Sequence, residues 1–350
     1  MMDTIAIGDL HLGKQRLVGL FGRDVSKLQL EPVHRALSWS IKQNIPNAVF
    51  LGDVFDKPKP DMYSLMNLLQ VLLRFDNKIT MHFLLGNHDI ASAGDNHSLS
   101  LIKNLADKLL KTVRVYDEPY TTKIGGITAG FQPWGEDVGD VDVGFGHFAR
   151  YGAVRDNGYH IGKKDKDVWE PDDKTLWVSG HLHTAQKVGR TYFSGTTVQT
   201  NFGETDGPKY FLRVRAREKR GRFAYKVTSE RSKRPFQLAT INIEDEDGWQ
   251  QRFPVRRRVR YRVRYNPDLR LPDTFMKDNP TVVECRASGS RSKVVGSEMA
   301  QEIRSAEGDI LQYNITDGLI DLLKLWGLDK RQAARAQEIV EEGVEKLGIK

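Results

Sequence analysis

Ile79-Thr80-Met81-His82-Phe83-Leu84-Leu85-Gly86-Asn87-His88-Asp89 changes character at Gly86. The residues before it are apolar enough for a buried strand, and those from Gly86 onward carry an amide, an imidazole and a carboxylate. Two earlier stretches are built alike: Ile5-Ala6-Ile7 runs into Gly8-Asp9-Leu10-His11, and Val49-Phe50-Leu51 into Gly52-Asp53. Two later ones follow, with Val141 to Gly146 ending on His147, and Leu176 to Ser179 on Gly180-His181-Leu182-His183. Open α/β sheets gather ligands beyond the C-terminal ends of their strands, where loops converge on one crevice. Glycines at those ends permit the tight turns that aim side chains at a common point. Five loops are therefore expected to share one pocket.

Outward from these stretches the pattern is regular. Strand-like segments at Thr4–Gly8, Asn47–Leu51 and Ile79–Leu85 alternate with helical ones at Leu30–Gln43, Met62–Phe75 and Ser98–Leu110, the rhythm of a layered α/β domain. From Val113 strand follows strand, at Ile127–Phe131, Val141–Gly146, Leu176–Ser179 and Thr191–Ser194. Residues 1–205 are read as the catalytic domain. A basic β-rich domain is expected over 206–295, because Arg213, Arg215 and Arg217 alternate with apolar residues, as do Arg256, Arg258, Arg260, Arg262 and Arg264. A period of two places each set on one strand face. Glu244 to Asp247, followed by Gly248, reads as a turn. Over 296–350 helices are expected: Leu319–Trp326 is densely apolar, Asp329 suits a cap, and Ala333, Ala336, Val340, Val344 and Leu347 form a stripe.

Composition narrows the function. The 350 residues are 39% hydrophobic with no apolar run of the roughly 18 residues that cross a bilayer, so a membrane role is not expected. No secretory signal is visible at the N-terminus, and a single cysteine, Cys285, leaves no internal disulfide; the cytoplasm is the expected compartment, a host's cytoplasm if the gene is a phage's. Net charge is +7, but residues 209–264 hold 18 Lys or Arg against 6 Asp or Glu, a local +12 that leaves −5 elsewhere. Such asymmetry points to a polyanion such as DNA, the alternative being a solvated sheet face.

The motif residues suggest a metal centre. Asp9 and His11, one residue apart, let an oxygen and an imidazole nitrogen address one ion, a donor set suited to Mn²⁺, Fe²⁺ or Zn²⁺ more than Ca²⁺. Asp53 has two oxygens and can bridge two ions about 3.5–4 Å apart. Asn87 adds a neutral oxygen and His147, His181 and His183 add nitrogens, which gives four ligands per ion when Asp53 is shared. His88 is assigned as acid or electrostatic stabiliser, oriented by Asp89. Asp56 reads either as a brace for the site or as the cap of the following turn, the second being favoured. His34, His82, His97 and His160 read as ordinary hydrogen-bonded side chains.

The series DxH, GD, GNHD, GH, GHxH resembles the calcineurin-like metallophosphoesterases, over about residues 3–200. The resemblance implies a four-layer α/β/β/α sandwich, here with a β-rich capping domain and C-terminal helices. It also implies a dinuclear site, one ion held by Asp9, His11, Asp53 and His183 and the other by Asp53, Asn87, His147 and His181. Gly8-Asp-Leu-His-Leu-Gly13, Leu51-Gly-Asp-Val-Phe-Asp56, Trp177-Val-Ser-Gly-His-Leu-His-Thr184 and Phe193-Ser-Gly-Thr196 are similar to SbcD-type DNA nucleases and their tailed-phage relatives. That likeness implies two divalent ions, Mn²⁺ foremost with Mg²⁺, Fe²⁺ or Zn²⁺ as alternatives, exonuclease and endonuclease action on DNA, and a role in repair, recombination or replication. It implies an SbcC-like ATPase partner docked on the C-terminal helices, for which the alternative is a helical pair covering the core. A homodimer through Met62–Phe75 and Ser98–Leu110 is implied as well. Arg213, Arg215, Arg217, Arg256, Arg258 and Arg260 are the DNA-contact candidates. A small-phosphoester hydrolase and a non-catalytic scaffold are the other readings; the separate basic region argues against the first and the intact ligand set against the second.

Overall fold

A computed structural model describes residues 1–91, 97–204, 207–219, 222–245, 247–248, 253–270 and 272–288, with 334, 335, 337 and 338. Apart from 334, 335, 337 and 338, which are helical, the expected C-terminal helices lie outside the described residues, and so does their ATPase-docking role.

Strand β1 (Met2–Ile7) leads through α1 (Gln15–Phe21) and α2 (Val25–Lys42) to β2 (Asn47–Phe50), then α3 (Met62–Phe75), β3 (Thr80–Leu84), α4 (Ser100–Lys108) and β4 (Val113–Tyr116). These four strands are parallel, as the crossovers require. Ile5, Ile7, Phe50, Met81 and Phe83 point to a core shared with α2, α3 and α4; the alternate residues Met2, Ala6, Val49 and Leu84 point to the other face. There they meet Ile127, Ala129, Phe131, Val143, Phe145, Leu176 and Val178 of a second sheet. That sheet has the order β5-β6-β7-β8-β10-β9, built from β5 (Tyr120–Ile124), β6 (Ile127–Gln132), β7 (Val143–Gly146), β8 (Leu176–Ser179), β9 (Gln186–Val188) and β10 (Thr191–Phe193). The result is the expected sheet-on-sheet α/β sandwich.

Helices cover the outer face of the first sheet. On the outer face of the second, Trp177 lies on Gly144 and packs with Phe148 and Trp169, whose connecting segment contains no helix. Aromatic side chains on a loop occupy that layer.

Helix α3 has the expected bounds because its signals are local. Asp61 caps it by accepting from the Ser64 N–H at 3.0 Å, and Leu65, Leu68, Leu72 and Phe75 form the buried stripe. Helix α2 begins at Val25, five residues before the sequence expectation, and runs through Pro32. The extra turn is held from outside: Gln29 Nε2 donates to the carbonyls of Leu10 and His11, at 3.1 and 2.8 Å. No periodicity reveals that contact.

The basic segment divides differently from the expected boundary at 206. Strand β11 (Lys209–Lys219) pairs antiparallel with β1, and β12 (Arg222–Ser232) pairs with β11, so this hairpin completes the first sheet in the order β12-β11-β1-β2-β3-β4. Leu212, Val214 and Ala216 enter the inter-sheet core, and this burial ties the hairpin to the sandwich. A separate three-stranded parallel sheet follows, from β13 (Gln237–Ile243), β14 (Val259–Tyr265) and β15 (Val282–Ala287), with α5 (Phe275–Asp278) before β15. Val263, Phe253, Tyr261, Phe275, Val282 and Cys285 form its core.

Candidate metal centre

All five motif loops leave the C-terminal ends of β1, β2, β3, β7 and β8 at one edge of the sandwich. Close approach there needs glycine. Gly52 has φ of +92°, and a Cβ on it would stand 2.4 Å from His147 Nδ1; one on Gly180 would stand 2.6 Å from Asp9 Oδ1. Asp53 and His11, also at positive φ, are locked together by donation from the N–H groups of Leu10 and His11 to the Asp53 carbonyl, at 3.1 and 2.9 Å.

Asp53 divides the site. Its Oδ2 lies 3.6 Å from His11 Nε2, and its Oδ1 lies 3.4 Å from His147 Nε2 and accepts from the His88 backbone N–H at 2.9 Å. On the first side, His11 Nε2 is 3.1 Å from His183 Nε2, with Asp9 Oδ2 3.9 Å from the latter. On the second, Asn87 Oδ1 is 3.1 Å from His147 Nε2 and 3.0 Å from His181 Nδ1. Asp9, Asp53 and His147 also converge within 4.8 Å, as do Asp9, His11 and His183, and His11, Asp53 and His88.

Each imidazole is held from behind. His147 Nδ1 is 2.6 Å from the Leu51 carbonyl, which can only accept, so the proton resides on Nδ1. His181 Nε2 is 2.7 Å from Asp167 Oδ2. His11 Nδ1 and His183 Nδ1 each face a carboxylate at 3.2 Å, Asp56 and Glu204 respectively, in bent contacts. With the rear nitrogens protonated, the front ones present lone pairs to each other and to Asn87 Oδ1 at about hydrogen-bond distance. Acceptors converging this closely suit a cation between them, whether a proton or a metal ion. The seven residues expected to bind metal therefore fit divalent ions in two places flanking Asp53.

The local charge agrees. Burial works to lower the His147 pKa, but the Asp53 and Asp9 carboxylates and the Leu51 carbonyl outweigh it and raise it to about 9. Burial likewise works to raise Asp53, yet His147, His11 and His88 hold it far below the usual carboxylate range. A field that stabilises positive charge on a fully buried ring also favours metal cations.

His88 and Asp89 do not form the expected dyad. His88 Nδ1 donates to the Asp56 backbone carbonyl at 3.0 Å, leaving Nε2 available toward the cleft that the residue lines. The carboxylate of Asp89 instead accepts from the N–H groups of Val54, Phe55 and Gly86 and from Ser98 Oγ, knitting the second motif loop to the third. Burial and the Asp53 charge push its pKa up to about 6. Asp56 acts as the brace, bound to Lys14 Nζ at 2.8 Å while facing His11.

The cleft has a volume of about 270 Å³ and is lined by Asp53, Asn87, His88, Arg155, Asp156, His181, Leu182 and His183. Arg155 reaches Asp167 at 2.6 Å, and Trp134 packs against His181 with ring centroids 4.9 Å apart. Trp134 follows the end of β6 and so obeys the strand-end rule that located the motifs. Asp167, Glu204, Arg155 and Asp156 carry no spacing signal.

The DNA-contact candidates are dispersed. Arg213 forms a two-pronged pair with Asp3, at 2.9 and 2.6 Å, and lies over Trp39; Arg215 is half-buried on the same face, and Arg217 is exposed. Arg256 and Arg258 precede β14 rather than alternate along it, Arg258 binding Glu31 at 2.8 and 3.1 Å. Arg260 donates to the Leu20 carbonyl at 2.9 Å and lies over Phe21. His82, expected to be ordinary, stacks on Phe131 in the inter-sheet core, where burial lowers its pKa to about 4. Among the described residues no helix is long and apolar enough to cross a membrane.

The chain is 26% identical over 298 residues, covering 81% of it and 80% of the relative, to exonuclease subunit 1 of Enterobacteria phage T4. Residues 2–185, more than half of the chain and all five motif loops, match the calcineurin-like phosphoesterase family, and the chain belongs to that family.

Proposed function

We propose that this chain is the nuclease subunit of a DNA-processing assembly, hydrolysing phosphodiester bonds at a dinuclear centre in which Mn²⁺ is the leading metal. The observation that carries it is the pair of donor clusters on either side of the Asp53 carboxylate, with His88 lining the same cleft. Asp9, His11, Asp53 and His183 would hold one ion, and Asp53, Asn87, His147 and His181 the other. Bound ions there supply Lewis-acid charge to the phosphoryl oxygens and acidify water.

The remaining work belongs to the protein. Leu51, Asp56, Asp167 and Glu204 keep the imidazoles facing forward, so no reorganisation is needed at the moment of reaction. His88, fixed through Nδ1, offers Nε2 to a phosphoryl or leaving-group oxygen. The name of the phage T4 relative and the basic hairpin support DNA as substrate. The word "subunit" in that name supports a multi-chain assembly; the ATPase of the SbcC type is what the likeness to SbcD-type nucleases implies. A homodimer and a role in repair or recombination belong to the same reading.

Linear duplex DNA, incubated with the full chain and Mn²⁺ with and without a co-expressed SbcC-like ATPase, tests the proposal. Metal-dependent cleavage is expected. Hydrolysis confined to p-nitrophenyl-type esters would overturn the nuclease reading in favour of a small-substrate phosphoesterase.

A further inference from the structure

Three imidazoles of the centre have their braces within the segment that matches the family: Leu51 for His147, Asp56 for His11 and Asp167 for His181. The fourth, His183, is braced from beyond it. Its Nδ1 lies 3.2 Å from Glu204 Oε1, with Asp156 Oδ2 further off at 3.8 Å.

Glu204 is a built feature. It is 5% exposed, and its oxygens accept from the Thr200 N–H at 3.0 Å, from the hydroxyl of Thr200, from Thr196 Oγ1 at 3.2 Å and from Lys209 Nζ at 2.7 Å. Lys209 is also buried; it opens β11, and its Nζ donates to Thr196 Oγ1 at 2.6 Å. A buried carboxylate with a buried ammonium on one oxygen has a fixed position and charge. Its second oxygen is what His183 meets.

We infer that Glu204, clamped by Lys209, is the positioning residue that sets the tautomer and aim of His183, so that the first strand of the basic hairpin completes the metal centre. This rests on the dinuclear reading above. The carboxylate favours the proton on Nδ1 and leaves the Nε2 lone pair facing His11 and Asp9. A glutamine at 204 reverses this. Lys209 offers only donors to the Oε2 position, so the amide oxygen must face it and the NH₂ takes the Oε1 position, toward His183 Nδ1 and the Thr200 hydroxyl, both of which can accept. Nδ1 then accepts, and the proton moves to Nε2, where an ion would bind.

The test is Mn²⁺ binding to the full chain by titration calorimetry, with the histidine tautomers of the metal-free protein read by long-range ¹H–¹⁵N NMR. The wild type is expected to bind two ions. Glu204→Gln should weaken one of them by about 10–100-fold, leave the other unchanged, and shift one ring to the Nε2–H form. Glu204→Asp retains the charge opposite Lys209 but falls short of His183, so it should keep the wild-type melting temperature while weakening the same ion by about tenfold. Two ions bound with wild-type affinity and an unchanged tautomer in either folded variant would reduce Glu204 to a structural role and overturn the inference. A wild-type chain that binds no Mn²⁺ would overturn the dinuclear reading itself.

Discussion

The histidine cluster at the strand ends and the arginines downstream are both runs of charge-bearing side chains, yet the fold leaves them in opposite conditions. The imidazoles use one nitrogen on a brace and turn the other inward, toward Asp53, Asn87 and one another. Arg213, Arg258 and Arg260 have partners within the protein, in Asp3, Glu31 and the Leu20 carbonyl. Binding capacity resides in what the fold leaves unsatisfied, since a guanidinium already paired with a carboxylate must break that pair to hold a phosphate. Arginines already paired within the fold are therefore weaker candidates for phosphate contact than an exposed one such as Arg217.

Chelation tests the contrast most severely. EDTA should abolish DNA hydrolysis and added Mn²⁺ should restore it; hydrolysis that persists after dialysis against chelator would break the link between the lone-pair cluster and activity. Next in size, His88→Ala should lower the rate by about 10²–10⁴-fold while Mn²⁺ stoichiometry measured by atomic absorption stays at the wild-type value. Loss of metal along with activity would move His88 into the ligand set.

Asp167→Asn should weaken Mn²⁺ by about 10–100-fold through the freed His181 ring, as read by calorimetry; unchanged affinity would mean that packing on Trp134 holds the ring without the carboxylate. The smallest effects sharpen the arginine side. Arg213→Ala should cost about 1–3 kcal/mol in urea unfolding, because it strands Asp3 and uncovers Trp39, whereas Arg217→Ala should stay within about 0.5 kcal/mol. Arg217→Ala should instead lower the slope of log Kd against log salt for DNA by about one. Equal stability losses for both would erase the distinction between engaged and free arginines.

The α/β layering was legible because its signals are local. Strand residues alternate between two cores in the first sheet, and α3 carries its own cap and stripe. The place of β11 was not, because an amphipathic strand reads the same whether it opens a new sheet or extends an old one; pairing with β1 across some 200 residues decided it. The sequence pattern places the start of α2 at Leu30, whereas the helix begins at Val25, where Gln29 reaches the Leu10 and His11 carbonyls. At the site, adjacency in sequence misled: Asp89 follows His88 but turns away to the backbone of residues 54, 55 and 86, while the Asp56 carbonyl holds the ring.

By itself the sequence determined the sandwich class, the five loops and the donor types gathered at one edge, because glycine after an apolar strand and a ligating side chain after glycine are properties of a few consecutive residues. Only the tertiary structure decided which nitrogen of each histidine faces inward, that Asp56, Asp167 and Glu204 stand behind three of the rings, and that the basic hairpin is part of the catalytic sandwich. Orientation of an imidazole depends on what lies at its back, and at His183 that is Glu204, 21 residues further along the chain and free of any motif spacing.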